Sequence, residues 1–322
     1  MSNTGFSSVT KHPIEIGDYF VATNEISRLY ANITNWIRKR LPGAIIFGYP
    51  RMGKTRAINY IIRTIKLDYN NMDYPIYHVS CRTRKNPNET MFFEDLLLGI
   101  GHSHAMQGAK ANIKRKRLIN ALTIVAEKNH TNKIIMFLDD AQNLFELEHK
   151  WLMDIYNELQ MCNINLIIFF VGQKELVFQR SAFMEAGKFQ IVGRFMTAEY
   201  EFKGLQDIDD IEECLAGYDE YAEYPAGSGC SYTKFYFREA FENGFRLAML
   251  ANHIWESFIE LRRENNINQF LDIPMQYFVL FIEGLMIEFG QSDYDIQHIP
   301  KEELHRLIVE SGYLEWEIHG RK

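Results

Sequence analysis

A chain of 322 residues, 47% hydrophobic and 24% charged, has the composition of a folded globular protein and is too long for one small core, so two domains are expected. Its four cysteines (Cys81, Cys162, Cys214 and Cys230) are scattered without CxxC or Cys/His zinc spacing, which argues against a disulfide framework or a metal knuckle and for a reducing, cytoplasmic setting. The first 17 residues lack a basic stretch followed by an apolar one, and the longest apolar runs are strand-length, so neither secretion nor a membrane partner is expected. The formal charge of −7 is unevenly spread. No acid falls between Asp95 and Glu127, where Lys110, Lys114, Arg115, Lys116 and Arg117 cluster, whereas Glu199 to Glu223 is acidic with Lys203 as its one base.

In chain order, Asn24 to about Arg40 reads as an amphipathic helix capped by Asn24, with Ile26, Leu29, Ile33, Trp36 and Ile37 on one stripe. Ala44 to Phe47 is a short buried strand, and Thr55 to Ile65 a helix with Ile58, Ile61, Ile62 and Ile65 inward. Pro75–Ser80 is a second strand, followed by helices at Glu94–Ile100 and Lys114–Lys128. The continuous apolar runs Ile134–Leu138 and Leu166–Val171 are strands of a parallel sheet covered on both faces, separated by a helix over Lys150–Gln160. A fifth strand is expected near Tyr200–Phe202. Helical spacing dominates from Asp207 onward, Gln291–Pro300 is turn-like, and Lys301–Glu317 is a terminal helix or tail. The expected division is therefore 1–206, an α/β domain with an N-terminal extension, 207–290, a helical lid, and 291–322, a C-terminal tail. The aromatic stripe Phe235, Phe237, Phe241 and Phe245 is read as lid packing.

Two motifs carry chemistry. Gly48-Tyr49-Pro50-Arg51-Met52-Gly53-Lys54-Thr55 satisfies GxxxxGK[ST] between a strand and a helix, as a phosphate-binding loop requires. Its backbone N–H groups would face the phosphates of ATP at a helix N-terminus, with Lys54 on the β and γ phosphates and Thr55 on Mg²⁺. Pro50, Arg51, Met52 and Arg56 complete the nucleotide-binding set. Ile134-Ile-Met-Phe-Leu-Asp139-Asp140 then supplies a buried strand ending in carboxylates: Asp139 as metal partner and Asp140 where a residue polarising the attacking water would sit. An aspartate there is one methylene shorter than the usual glutamate, which predicts weak turnover or help from a neighbouring subunit.

Together these motifs resemble the AAA+ superfamily. The order GYPRMGKT, FLDDAQNL, LIIFFVGQKEL, VGRF, FKGL and ENGFRLAMLANHIW resembles the TnsC/TniB AAA+ regulators of DNA transposition, over about Phe20 to Phe258. The resemblance implies an AAA+ P-loop NTPase fold with a doubly wound parallel sheet and a smaller C-terminal helical lid. It further implies a homo-oligomeric ring or filament on double-stranded DNA that connects target-selection proteins to a transposase. On the same basis Gln173 takes the first-sensor position, Arg194 that of an arginine finger with Arg180 as competitor, and Arg246 the second-sensor position. Cationic residues Lys110, Lys114 and Arg117, and Arg82, Arg84 and Lys85 after the second strand, become candidate DNA contacts. Phe20 and Val21 are positional candidates for the adenine pocket. A helicase-loading or replication-initiation AAA+ ATPase shares almost every one of these motifs, and a nucleotide-gated platform with little turnover is the non-enzymatic alternative.

Overall fold

The computed structural model describes residues 11–68, 74–290 and 294–320; the readings of residues 1–10, 291–293 and 321–322 lie outside them. The chain divides into two compact units, one of residues 28–203 and one combining the N-terminal segment up to Ser27 with 204 onward.

The 28–203 unit is built on five parallel strands, β1 (Gly43–Phe47), β2 (Ile76–Ser80), β3 (Lys133–Asp139), β4 (Asn165–Gly172) and β5 (Ala198–Glu201), in the order β2-β3-β4-β1-β5. The central β3 and β4 are buried along almost their whole length, because helices cover both faces of the sheet and successive side chains point to opposite faces. Ile45, Met136, Leu138, Ile168 and Phe170 join one apolar cluster with the helices Glu89–Gly99, Ala111–Lys128, Glu146–Met161 and Phe189–Phe195. Phe137 and Phe169 point the other way and pack ring to ring at 5.0 Å, with Trp36 beyond Phe169 at 5.9 Å. The register pairs Ser80 with Asp139 and Phe47 with Gly172, so the carboxyl ends of β1, β2, β3 and β4 share one edge of the sheet. Between β1 and β2 the chain crosses over β4 and β3, and in an open α/β sheet such a reversal leaves a crevice at that edge.

Element boundaries differ from the sequence reading mainly at helix starts. The first long helix is Asn24–Arg38, and Thr23 rather than Asn24 caps it, its Oγ1 accepting the Ile26 N–H at 3.4 Å. The helix expected from Glu94 starts at Glu89, because the Asn88 side chain accepts the Met91 N–H at 3.0 Å, a cap worth about 1 kcal/mol. The helix expected from Lys150 starts at Glu146, where the Glu148 carboxylate accepts the Phe145 N–H at 3.0 Å.

The second unit is helical, with Ile208–Glu220, Ala251–Glu264, Met275–Phe289 and Lys301–Glu310 as its longer helices. Two expected boundaries are corrected here. The N-terminal extension groups with this unit: His12 lies among Tyr224, Tyr232, Phe235 and Tyr236 with ring centroids 4.4–4.9 Å apart, and Val21 fills the space that a side chain at Gly217 would need. The described part of the C-terminal stretch, residues 294–320, likewise groups with the helical unit rather than forming a separate tail. Arg262 is buried and pairs with Glu317, donates to the Tyr313 hydroxyl at 3.0 Å and to the Gln269 carbonyl at 2.5 Å. A carboxylate, a phenol and a carbonyl compensate the buried arginine, which holds the segment around Glu317 in place.

Candidate nucleotide site

β1 delivers the chain into the loop Gly48–Gly53, and Lys54 opens the helix Lys54–Asp68. A Cβ at Gly48 would lie 2.2 Å from the Phe202 carbonyl oxygen, so no other residue fits where the loop leaves the strand. Arg51 at φ +68° and Gly53 at φ +97° turn the loop back on itself, while Met52 is fully buried and anchors it from below. Helix Lys54–Asp68 holds Ile58, Ile61 and Ile65 against the sheet, which fixes the direction of its N-terminus.

The Lys54 ammonium donates to the carbonyls of Gly48 at 2.9 Å and Tyr49 at 2.7 Å, inside the curl of the loop. Burial lowers its pKa from the ordinary lysine value to about 8, against the opposing pull of Asp139, Asp140 and Glu175. A buried cation whose hydrogen bonds go to two carbonyls is suited to an incoming anion. One residue on, the Thr55 hydroxyl donates to Asp139 Oδ2 at 2.7 Å.

Asp139 ends β3 and is held from every side. Its Oδ2 also accepts from His78 Nε2 at 3.2 Å, its Oδ1 accepts the Asp140 N–H at 3.0 Å, and its carbonyl accepts the Cys81 N–H at 2.7 Å. Burial pushes the carboxyl pKa up, but the bonds from His78 and Thr55 outweigh it and leave the group below the usual carboxylate value, hence ionised. His78 is itself aligned by Asn59, 2.8 Å from its Nδ1. Neither residue belongs to a motif; the one signal in the sequence is a histidine in the middle of a strand, PIYHVS.

A hydroxyl and an ionised carboxylate side by side are the donors a hard divalent cation takes, and Mg²⁺ characteristically completes its shell with phosphate oxygens and water. Among the described residues no three His, Cys, Asp or Glu side chains gather to hold a metal by themselves, so the ion would need the nucleotide's own oxygens. Thr55 and Asp139 fit that role, and Lys54 fits the phosphates.

Around this centre, Asp140 is exposed and takes a left-handed conformation at φ 53°, ψ 37°. Gln173, at the end of β4, is half-buried, and its N–H donates to the Gln142 side chain at 3.2 Å. Next to it Lys174 lies over the Tyr49 ring at 4.0 Å and pairs with Glu201 at 3.4 Å, a link between the phosphate loop and the ends of β4 and β5 that sequence spacing does not disclose. Arg194 is half-buried, bonded to Asn157 and stacked over Tyr156 at 4.8 Å, whereas Arg180 pairs with Glu199 at 2.6 Å. In the helical unit, Arg246 donates to the carbonyls of Phe241 and Phe245 and lies 3.7 Å over the Phe241 ring. Phe20 and Val21 belong to that same unit.

Two of the expected DNA contacts are corrected. Lys114 is only 1% exposed, paired with Glu94 and bonded to the Ala105 carbonyl at 3.2 Å; it ties the 101–110 loop to the helix Glu89–Gly99. Arg84 is sunk between Asp95 and Glu148. The stretch looked free of acids along the chain, but neighbouring helices supply the carboxylates. Arg115 likewise meets Asp154 at 3.3 Å and Glu158 at 2.5 Å. Arg82 keeps a loose contact with Asp95 at 3.7 Å, Arg117 is half-buried near the His104 carbonyl, and Lys85, Lys110 and Lys116 are exposed.

Residues 28–203 have the AAA+ P-loop fold, and residues 40–179 match the family model described as an AAA domain. The Aeropyrum pernix ORC2 protein in its ADPNP-ADP complexes superposes with a TM-score of 0.60 at 12% identity, over 94% of this chain and 72% of that one. The ADP form of ORC2 gives 0.52 at 12% identity, over 92% and 70%. The A. pernix ORC1 protein in complex with DNA gives 0.46 at 14% identity, over 95% and 88%. At these identities the likeness is one of fold. No curated protein matches the chain. No helix among the described residues is long and apolar enough to cross a membrane.

Proposed function

We propose that this protein is an ATP-binding, ATP-hydrolysing switch that assembles as an oligomer on double-stranded DNA. The observation that carries the nucleotide reading is the meeting of Lys54, Thr55 and Asp139 at the mouth of the phosphate loop. Lys54 neutralises the β and γ phosphates, Thr55 and Asp139 hold Mg²⁺, and Asp140 orients the attacking water, with Gln173 beside it. Mg²⁺ supplies charge neutralisation at the phosphates. Arg194 completes the site of a neighbouring subunit, and Arg246 is the second-sensor candidate. DNA is held through phosphates by exposed cations, Lys85, Lys110 and Lys116 foremost, without reading base sequence.

For the partner we favour the replication-initiator or helicase-loader reading. Its support is that the likeness to ORC2 runs over 94% of this chain, the helical unit included. The second reading, a transposition regulator linking target-selection proteins to a transposase, is supported by the resemblance of the FLDDAQNL, VGQ and FRLA stretches.

Steady-state ATP hydrolysis, measured with and without duplex DNA for the wild type and Asp140→Asn, tests the reading. Turnover that DNA stimulates and that the substitution lowers at least tenfold is expected. Turnover absent from the wild type under both conditions would leave a nucleotide-gated platform in its place.

A further inference from the structure

Gln142 lies in the turn that leaves β3, and its one side chain joins two exits of the sheet. Its Nε2 donates to Asp140 Oδ1 at 3.2 Å, and its Oε1 accepts the Gln173 N–H at 3.2 Å. The Gln142 carbonyl in turn accepts from Gln179 Nε2 at 2.8 Å, which fixes the turn from the opposite side. Asp140 occupies the left-handed region at φ 53°, where a residue other than glycine stays only if its surroundings hold it.

The end of β4 is shaped to receive this amide. A Cβ at Gly172 would fall 2.1 Å from Gln142 Oε1 and 2.8 Å from Leu176 Cδ1. Both are ends of flexible side chains, so an alanine at 172 would displace the glutamine rather than break the strand. Only a carboxamide donates from one end and accepts at the other: a glutamate of the same shape turns an oxygen toward Asp140, and a leucine offers neither bond.

We infer that Gln142 is a positioning residue for hydrolysis, clamping the Asp140 carboxylate to the end of β4, and that residue 172 is glycine to admit it. The inference rests on the reading of Asp140 as the carboxylate that orients the attacking water. Gln142 acts through Asp140. Freed from the amide, the carboxylate rotates about its own side chain, and misplacement of about 1 Å at a reacting centre costs up to roughly a hundredfold in rate. Because the same amide holds the Gln173 N–H, the water-orienting group and the first-sensor segment move together.

The test compares wild type, Asp140→Asn, Gln142→Leu, Gln142→Glu, Gly172→Ala and the double variant Gly172→Ala/Gln142→Leu. ATP turnover is measured for each, and binding of a fluorescent non-hydrolysable ATP analogue is measured separately. Gln142→Leu and Gln142→Glu should each lower kcat about tenfold, with KM and analogue affinity within about twofold of wild type. Gly172→Ala, which leaves both Gln142 and Asp140 in the chain, should show the same split, and the double variant should fall no further than Gln142→Leu. Gln142→Glu is isosteric and keeps the acceptor for Gln173, so its loss of kcat would not be a failure to fold. If Asp140→Asn lowers kcat while the Gln142 and Gly172 variants keep it, the inference is overturned and the reading of Asp140 survives. Analogue affinity falling in step with kcat would also overturn it, by showing a general structural role. If Asp140→Asn itself leaves kcat unchanged, the reading fails and the inference with it.

Discussion

Thr55 and Asp139, 84 positions apart in the chain, are joined by a 2.7 Å hydrogen bond from the threonine hydroxyl to Asp139 Oδ2. The bond ties the first turn of the loop helix to the last residue of β3, and it sets a hydroxyl and a carboxylate where one cation reaches both. Thr55→Val keeps the shape and removes the hydroxyl. Titration of Mg²⁺ against ATP-analogue binding should then show the half-saturating Mg²⁺ concentration raised about tenfold, with thermal stability nearly unchanged. An unaltered Mg²⁺ requirement would remove Thr55 from the metal site.

Lys54, the proposed phosphate-binding lysine, is buried at a cost in stability. Burial lowers its pKa to about 8, and a lysine depressed by that amount destabilises the folded, nucleotide-free protein by roughly 3 kcal/mol. Below about pH 8 the lysine is protonated both folded and unfolded, and the full penalty applies; between there and the ordinary lysine value the folded form loses its proton first and the penalty fades. Lys54→Met should therefore abolish ATP binding yet raise the nucleotide-free melting temperature by several degrees at pH 7, with a smaller gain at about pH 9.5. Melting curves at the two pH values check this. A destabilised variant, or a gain that grows with pH, would contradict the description of Lys54.

The buried and exposed cations separate two roles. Lys114→Ala should destabilise the 28–203 unit by about 1–3 kcal/mol, because Glu94 and the Ala105 carbonyl lose their partner. Its effect on DNA should follow only from that loss. Neutralising Lys85, Lys110 and Lys116 together should leave the melting temperature nearly unchanged and weaken binding to duplexes of any sequence. The log–log salt dependence should flatten by about 0.9 for each phosphate that the variant no longer neutralises. Wild-type affinity and salt slope in the triple variant would place DNA binding elsewhere.

Arg194 and Arg180 both have partners within the chain, the first in Asn157 and the Tyr156 ring, the second in Glu199. If Arg194 serves the neighbour's nucleotide, mixing Arg194→Ala with Lys54→Ala subunits should restore part of the ATPase activity, since some junctions pair an intact loop with an intact arginine. Arg180→Ala mixed in the same way should give no such complementation. Absence of rescue at every ratio, with both variants assembling, would argue for a role of Arg194 within one subunit.

The strands and the phosphate loop were legible because both are local patterns. Short apolar runs and GYPRMGKT each report on their immediate neighbours, and the structure places them within a residue or two of the expectation. Helix starts were less legible, since Asn88 and Thr23 cap through side chains that lie outside the apolar stripe. The charges misled most. Lys114 and Arg84 sit in sequence far from the acids that bury them: Glu94 lies 20 positions from Lys114 and Glu148 lies 64 from Arg84, and only the packing of helices brings them together. His78, Asn59 and Gln142 escaped notice for a related reason, because each acts on a group that the fold rather than the local pattern places beside it.

In the proposed function, nucleotide in the Lys54 site controls assembly on duplex DNA. The most direct test of this control is fluorescence anisotropy of a labelled duplex titrated with the protein at fixed salt. The titration is run without nucleotide, with ADP, and with Mg²⁺ and a non-hydrolysable ATP analogue, for wild type and Lys54→Ala. Binding is expected to be at least tenfold tighter with the analogue than without nucleotide, with ADP between or equal to none, and with no gain in Lys54→Ala. Equal affinity under all three conditions, or an analogue effect that persists in Lys54→Ala, would contradict it.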